Sequence, residues 1–290
     1  MHDLVYELKQ LAQRHREGSY QTQHDRKDLL MLCGQQLVEA GYRHLHAEGI
    51  KGRHVNALLA RWRTQGLSAS TIKNRMSVLR WWARHVGNPG AVLARNDAYG
   101  IPQRQTVARV SKARDLPTAR LVQVRDAYVR MSLELQLCYG LRRCEAIKIK
   151  PWQADRGHTL VLQGSWTKGG RPREIPIRTV EQREALDRAK ALVRFKGASL
   201  IPSDKTYVEQ LRRYESQTAR AGLSKLHGLR HRWAQQRYAD LTGFACAAQQ
   251  GPLWAQMTPE QRELDQDARA IISTELGHSR VQITVKYLGR

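Results

Sequence analysis

Apolar residues recur at three- and four-residue spacing along most of the chain, the pattern of helices with one buried face. Leu4, Leu8 and Leu11 predict a helix over residues 2–17, ended by Gly18, with Ser19 placed to cap the next. Leu29, Leu30, Leu32, Leu37 and Val38 predict a second over 22–40, stopped by Gly41. Val55, Leu58, Leu59 and Trp62 predict a third over 51–65. A fourth, capped by Ser68 or Ser70, runs to Val86 with Ile72, Met76, Leu79 and Trp82 on its apolar side. These four make a small all-helical domain over 1–87. From 88 to 116 the periodicity is lost. Asn88-Pro89-Gly90 and Ile101-Pro102-Gln103-Arg104 read as an extended basic linker.

Pro117 opens a second domain, 117–290. Helices are expected over 118–129, 132–139 (ended by Gly140) and 145–149. Two short runs, Thr159–Leu162 and Arg173–Ile177, alternate as strands, and Gly169-Gly170 between them reads as a hairpin turn. Further helices are expected over 180–196, 207–221, 226–241, 268–276 and 281–287, with an irregular Gln-rich stretch over 242–267. The fold class is therefore mainly α with a small β-hairpin, in two domains.

Charge narrows the function. Lys and Arg number 49 against 26 Asp and Glu, a formal net charge of +23 over 290 residues. Such a surplus calls for a polyanionic partner, most simply double-stranded DNA. Lys73, Arg75, Arg80 and Arg84 on the fourth helix are candidate phosphate contacts. No apolar run is long enough to span a bilayer, and the N-terminus lacks a signal pattern, so no membrane is expected. Four scattered cysteines form no C-x-x-C pair. They suggest neither a zinc site nor a disulfide framework, and fit a reducing cytoplasm. No phosphate-binding glycine loop or carboxylate cluster for magnesium is present, so no cofactor or metal is expected.

The candidate chemistry lies in four segments: Gly140-Leu141-Arg142-Arg143-Cys144-Glu145, Thr167-Lys168-Gly169-Gly170-Arg171-Pro172-Arg173-Glu174-Ile175-Pro176, His227-Gly228-Leu229-Arg230-His231, and Leu276-Gly277-His278 followed by Tyr287. Together they resemble the tyrosine recombinase (phage integrase) family. That family carries T-G-L-R-x-x-E, T-K-x-x-x-x-R-x-I-P, H-x-x-R and L-G-H in this order, with a tyrosine nine residues beyond the last histidine. Here 287 − 278 = 9. Tyr139 stands where the family often has threonine.

The resemblance implies a role for each residue. A phenol, with a reference pKa near 10, is a poor nucleophile and needs help. Tyr287 would attack phosphorus to form a 3′-phosphotyrosyl bond. Arg142 and Arg230 would grip the non-bridging oxygens, a task that suits the planar guanidinium fork. His278 would hydrogen-bond one of those oxygens, His227 would act in proton transfer around the nucleophile, and Lys168 would protonate the leaving 5′-oxygen. Glu145 would hold the local structure. Tyr238 is the nearest alternative tyrosine.

The family likeness further implies a two-domain C-shaped clamp around DNA. Its helical core-binding domain would sit opposite the catalytic one, as a homotetramer on paired sites with room for accessory proteins. The activity would be site-specific recombination, integrating or excising a mobile element beside the nucleoid. Two other readings use the same residues: a type IB topoisomerase-like enzyme, and a DNA-binding accessory protein without catalysis. The 48 residues from Arg230 to His278 (278 − 230) exceed the usual family spacing. Three residues follow Tyr287, so subunit contacts are expected from elsewhere than a tail.

Overall fold

The computed structural model describes residues 2–103 and 106–290. Arg104 and Gln105, read above as linker, lie outside them. Two compact units result, Met1–Gln105 and Thr106–Arg290.

The first unit is built from α1 (Asp3–Arg14), α2 (Tyr20–Glu39), α3 (Gly52–Thr64) and α4 (Ala69–His85). Two starts are fixed by serine side chains that accept a backbone N–H left free by the first turn: Ser19 from Thr22 and Ser68 from Thr71. Of the two candidate caps for α4, Ser68 is the one that acts. The inward faces merge in one core around Leu4, Leu8, Leu37, Leu58, Trp62, Met76 and Trp82. Buried indoles need an acceptor. Trp62 donates to the Gln36 side chain and Trp82 to the Ala47 carbonyl, each at 2.8 Å. Residues 88–103 are not simply extended. Two 3-10 turns, Pro89–Ala91 and Asp97–Tyr99, bring Ala91, Val92 and Ile101 into the same core. Three apolar side chains at irregular spacing leave no period for a sequence reading to find.

The second unit contains α5 (Thr118–Leu121), α6 (Ala127–Tyr139), α7 (Arg143–Lys148), α8 (Pro151–Ala154), β1 (Thr159–Leu162), β2 (Arg173–Pro176), α9 (Val180–Leu192), α10 (Tyr207–Arg220), α11 (His227–Thr242), α12 (Pro259–Glu275) and α13 (Val285–Leu288). α6 packs against α7, α9 and α11. Tyr139, Leu160, Leu162, Ile175, Leu186, Tyr238 and Ile272 are buried together in the main core. The strands pair antiparallel with Leu160 opposite Ile175. The predominantly helical class with one small hairpin is thus as expected.

Three details differ. The expected helix over 118–129 stops at Leu121, and α6 starts at Ala127 because Asp126 caps it through the Val129 amide. The hairpin turn is not tight: a 3-10 turn, Gly164–Trp166, precedes Gly169 and Gly170, both at positive φ. The stretch 242–267 is not irregular throughout. Pro259–Glu275 is one 17-residue helix, opened by Thr258 and Gln261 in a capping box with Pro259 in the first turn. Its first half is too polar to show an apolar stripe, and its start is legible only in the cap.

Candidate active site

The turn between α6 and α7 sets the first arginine. Gly140 ends α6 at φ 61°, where a Cβ would stand 2.8 Å from the Trp233 indole. This backbone needs glycine. Arg142 then occupies the N-cap of α7. Its backbone N–H and its Nη1 both donate to Glu145, each at 2.7 Å. Glu145 is fully buried. Arg173 meets it with a two-pronged pair at 2.8 and 2.7 Å. Burial alone would push the Glu145 carboxyl up. The Arg173 bonds and the charges of Arg173, Arg142 and Arg230 outweigh that and hold it at about 2. Glu145 is therefore an anion at every working pH, and leaves Arg142 a fixed position with half-open access to solvent.

Arg173 was present in the sequence motif without a role. Along β2, Arg173 and Ile175 face inward while Glu174 and Pro176 face out. The inward guanidinium also donates Nε to the Glu275 carbonyl at 2.9 Å. It thus ties the hairpin, the Arg142 turn and the end of α12 together. Strand alternation could have placed it on the inner face. Only Glu145 explains why a charge is tolerated there.

The second arginine is buried. Arg230 is 1% exposed. It donates Nη1 to the Gly140 carbonyl and Nη2 to the Leu276 carbonyl, and its Nε reaches the Tyr287 hydroxyl at 3.4 Å. Burial and then the Arg142 charge lower it to about 10, so it stays charged at neutral pH.

Three imidazoles surround the Tyr287 ring. His278 stacks on it at 5.3 Å between centroids, His231 lies at 4.5 Å and His227 at 6.0 Å. His278 also approaches Arg230, Nε2 to Nη2 at 3.5 Å. Desolvation, then neighbouring cations, hold all three imidazoles below the ordinary value: His278 at about 3, His231 at about 4, and His227 lowered. Each is neutral at pH 7. The Nδ1 atoms of His231 and His278 are buried without a partner among the described residues. His231 was quoted in the sequence only as part of a motif. Its place follows from α11, where residues four apart share a face.

Lys168 stands exposed on the hairpin turn. It lines a cleft of about 570 Å³ with Arg142, Arg143, Lys225 and His227. Lys168 is therefore brought to Arg142 and His227, while Arg230, His278 and Tyr287 form the cluster beside them. Tyr238, the alternative nucleophile, is fully buried and donates to Asp265 at 2.7 Å. Burial and that carboxylate raise its pKa. It is a core residue. So is Tyr139, whose hydroxyl donates to the Gln182 carbonyl.

The four candidate contacts on α4 separate in the structure. Arg84 is exposed and Lys73 half-buried. Arg75 lies over the Trp62 ring at 5.2 Å. Arg80 spends its guanidinium on the Leu93 carbonyl at 2.8 Å and the Asn96 side chain at 2.9 Å. Among the described residues no group of three or more His, Cys, Asp or Glu could hold a metal, and no helix is long and apolar enough to cross a membrane.

A family profile described as Phage integrase, N-terminal, matches residues 1–91, and one described as Integrase matches residues 103–236. The latter stretch holds Arg142, Lys168, His227 and Arg230. No curated protein sequence matches. Among solved structures, the chain is similar to a lambda integrase(75–356) dimer bound to a COC′ core site. The identity is 16% and the TM-score 0.62, covering 99% of this chain and 94% of that one. It is similar to the Tn1549 transposon integrase (residues 82–397) in complex with circular intermediate DNA, at 16% identity and TM-score 0.57, over 100% and 96%. It is also similar to the XerH site-specific recombinase bound to palindromic difH substrate, at 16% identity and TM-score 0.59, over 97% and 80%. At such identities the likeness is one of fold.

Proposed function

The chain belongs to the phage integrase family of tyrosine recombinases, and we propose that it cuts and rejoins DNA at specific sites through Tyr287. The observation that carries this reading is the phenol held at a buried guanidinium among three neutral imidazoles. A phosphodiester is a monoanion, and attack adds a second negative charge in the transition state. Arg230 and Arg142 are fixed before substrate arrives, so they meet that charge without reorganising. His278, beside Arg230, hydrogen-bonds a non-bridging oxygen.

In the forward step the Tyr287 oxygen bonds to phosphorus and the bond from phosphorus to the 5′-oxygen breaks. The phenolic proton passes to His227, whose ring stands 6.0 Å from that of Tyr287. The departing oxygen takes a proton from Lys168, whose turn is exposed and lies over the cleft shared with Arg142. The phosphotyrosyl bond retains the energy of the broken linkage. A 5′-hydroxyl from a second duplex can then reverse the step, which is strand exchange. We assign further duplex contacts to the helical unit, with Lys73 and Arg84 among its cationic groups. Four copies on paired sites would complete the reaction, integrating or excising a mobile element.

The test is a nicked suicide duplex that traps the covalent adduct, followed by mixing two marked duplexes. An adduct with exchange supports recombination. An adduct that only relaxes supercoils moves the chain to the topoisomerase reading, and binding without an adduct makes it an accessory protein. Replacing the 5′-bridging oxygen by sulfur gives a leaving group that needs no proton. That substrate should rescue Lys168→Ala, and equal defects on both substrates would remove Lys168 as the acid.

A further inference from the structure

Tyr287 sits on α13, a single turn of four residues. One turn is far too short to hold its own shape, and the carbonyls of its last residues lack intrahelical donors. What seats it comes from outside. Gln235 is 1% exposed, and its Nε2 donates to the Tyr287 carbonyl at 2.8 Å. Its Oε1 accepts from the Ser111 hydroxyl at 2.8 Å. The Ala108 amide donates to the Val285 carbonyl at 2.9 Å, and the Arg114 amide to the Gly228 carbonyl at 3.1 Å. Close contacts confirm the fit. A Cβ on Gly289 would lie 2.8 Å from the Ala108 carbonyl oxygen, and one on Gly228 would lie 2.7 Å from that of Lys112.

His227, His231 and Gln235 are spaced by four on α11, so one helix face presents two imidazoles to the Tyr287 ring and an amide to its backbone. Nothing in the proposed chemistry uses this amide. A glutamine buried with both ends paired is a rigid spacer of fixed polarity: it gives a hydrogen on one side and takes one on the other. Here it joins the segment 106–116, the first of the catalytic unit, to the residue that attacks.

We propose that Gln235 is a positioning residue for the nucleophile, and that Ser111 and Gln235 form a latch seating the Tyr287 turn against Arg230. This rests on Tyr287 being the nucleophile. Loosening the latch leaves DNA binding intact and slows attack, because the phenol then samples orientations away from the phosphate.

The test uses the full chain with Gln235→Leu, Gln235→Glu, Ser111→Ala and Ser111→Thr. Three quantities are read: adduct formation on the nicked duplex at saturating protein, the Kd for that duplex, and amide exchange over residues 285–289. Gln235→Glu keeps the acceptor for Ser111 but loses the donor to Tyr287. It should be as slow as Gln235→Leu, between about ten- and a hundredfold below wild type, the scale of a small misplacement of a reacting group. Exchange over 285–289 should rise in both, with Kd unchanged. Ser111→Ala should show a smaller loss, and Ser111→Thr, which keeps the hydroxyl, should restore the rate. Tyr238→Phe removes a buried hydrogen bond from the same helix without touching the latch. It controls for lost stability and should leave the adduct rate unchanged. Wild-type rates with undisturbed exchange in the Gln235 variants overturn the latch, as does an equal slowing in Tyr238→Phe. Should the wild type form no adduct, or Tyr287→Phe form one, the nucleophile assignment fails instead. The exchange data alone then decide whether the latch holds the turn.

Discussion

Two clusters in this molecule use the same residue types and end in opposite states. In the helical unit, the Trp81 ring stacks on His85 at 4.1 Å, meets His15 edge-on at 6.1 Å, and has the Arg26 guanidinium over it at 4.5 Å. In the catalytic unit, Tyr287 has three imidazoles and the Arg230 guanidinium around it. The difference is a carboxylate. Glu17 accepts from the Trp81 indole and from His85 Nε2, each at 3.0 Å, and His85 Nδ1 contacts the Trp81 carbonyl at 2.8 Å. Both nitrogens of that imidazole are used. Around Tyr287 the buried carboxylate, Glu145, is already taken by Arg173 and Arg142. The His231 and His278 Nδ1 atoms stay unpaired among the described residues and Arg230 keeps its charge. In the first cluster the indole and the His85 imidazole are fully paired, and Arg26 Nη1 is the atom left buried without a partner among the described residues. The second keeps the Arg230 charge without an ion-pair partner and two imidazole nitrogens without a hydrogen-bond partner among the described residues, at a cost in stability.

The largest expected effect tests whether the second cluster is chemical at all. Tyr287→Phe removes one oxygen and leaves the ring stack. The covalent adduct should vanish completely on a nicked duplex while the Kd stays within about twofold, a change well below one hydrogen bond. A persistent adduct band would mean another residue attacks. Next comes the guanidinium. Arg230→Lys keeps a charge but loses the fork, and should slow adduct formation by roughly a hundred- to a thousandfold, the usual loss of one transition-state donor. Arg26→Lys in the first cluster should leave that rate unchanged. Similar losses in both would erase the distinction.

Much of this was legible from residue order. Arg142, Lys168, His227, Arg230, His278 and Tyr287 are read from motifs, and the structure gathers Arg230, His278, His227 and Tyr287 into one cluster, with Arg142 and Lys168 on the adjoining cleft. What sequence could not supply was partnership across distance. Arg173 and Glu145 are 28 residues apart, and Gln235 and Tyr287 are 52 apart. Neither spacing has a local period. The first half of α12 escaped for another reason: Pro-Glu-Gln-Arg-Glu-Leu-Asp-Gln-Asp is almost wholly polar, and burial of Asp265 and Arg269 as a pair replaces the apolar stripe. Arg80 read as a phosphate contact because exposed and tied arginines look alike in sequence, whereas its guanidinium closes the 93–96 loop.

The third effect concerns pH and has opposite signs in the two units. His231 and His278 have folded values near 4 and 3, below the unfolded value of about 6.5. The unfolded chain therefore binds protons first as pH falls. Their contribution is fully present above about pH 6.5 and is lost from there down toward pH 3–4. In the helical unit His46 is raised by its hydrogen bond to Glu7. Its contribution is present below about pH 6.5 and is lost as pH rises through the folded value. Protection factors from amide exchange, measured between about pH 5 and 8, should rise with pH over residues 285–289 and fall over residues 46–49. Parallel trends in the two segments would contradict the assignment. Bound DNA, by supplying phosphate near His278, should raise its pKa and be accompanied by proton uptake near pH 5.

The smallest effect comes from making one substitution in both clusters. His85→Phe keeps a ring against Trp81 and gives up the bonds to Glu17 and to the Trp81 carbonyl. The Trp81 indole retains its own bond to Glu17. The loss is therefore confined to hydrogen bonds near the surface, where water replaces a lost partner, and the thermal midpoint should drop by no more than a few degrees. Adduct formation should not change. His231→Phe is the mirror case. It replaces an imidazole whose Nδ1 is buried and without a partner among the described residues, so removing that atom relieves a desolvation cost. The thermal midpoint should hold or rise, and the acid loss described above should shrink. The adduct rate should fall, by less than in Arg230→Lys, because a phenyl ring can pack on Tyr287 but cannot accept a proton or a hydrogen bond. If His231→Phe instead melts the unit and leaves the rate per folded molecule unchanged, His231 is a packing residue like His85, and the difference between the clusters rests on Arg230, His227 and His278 alone.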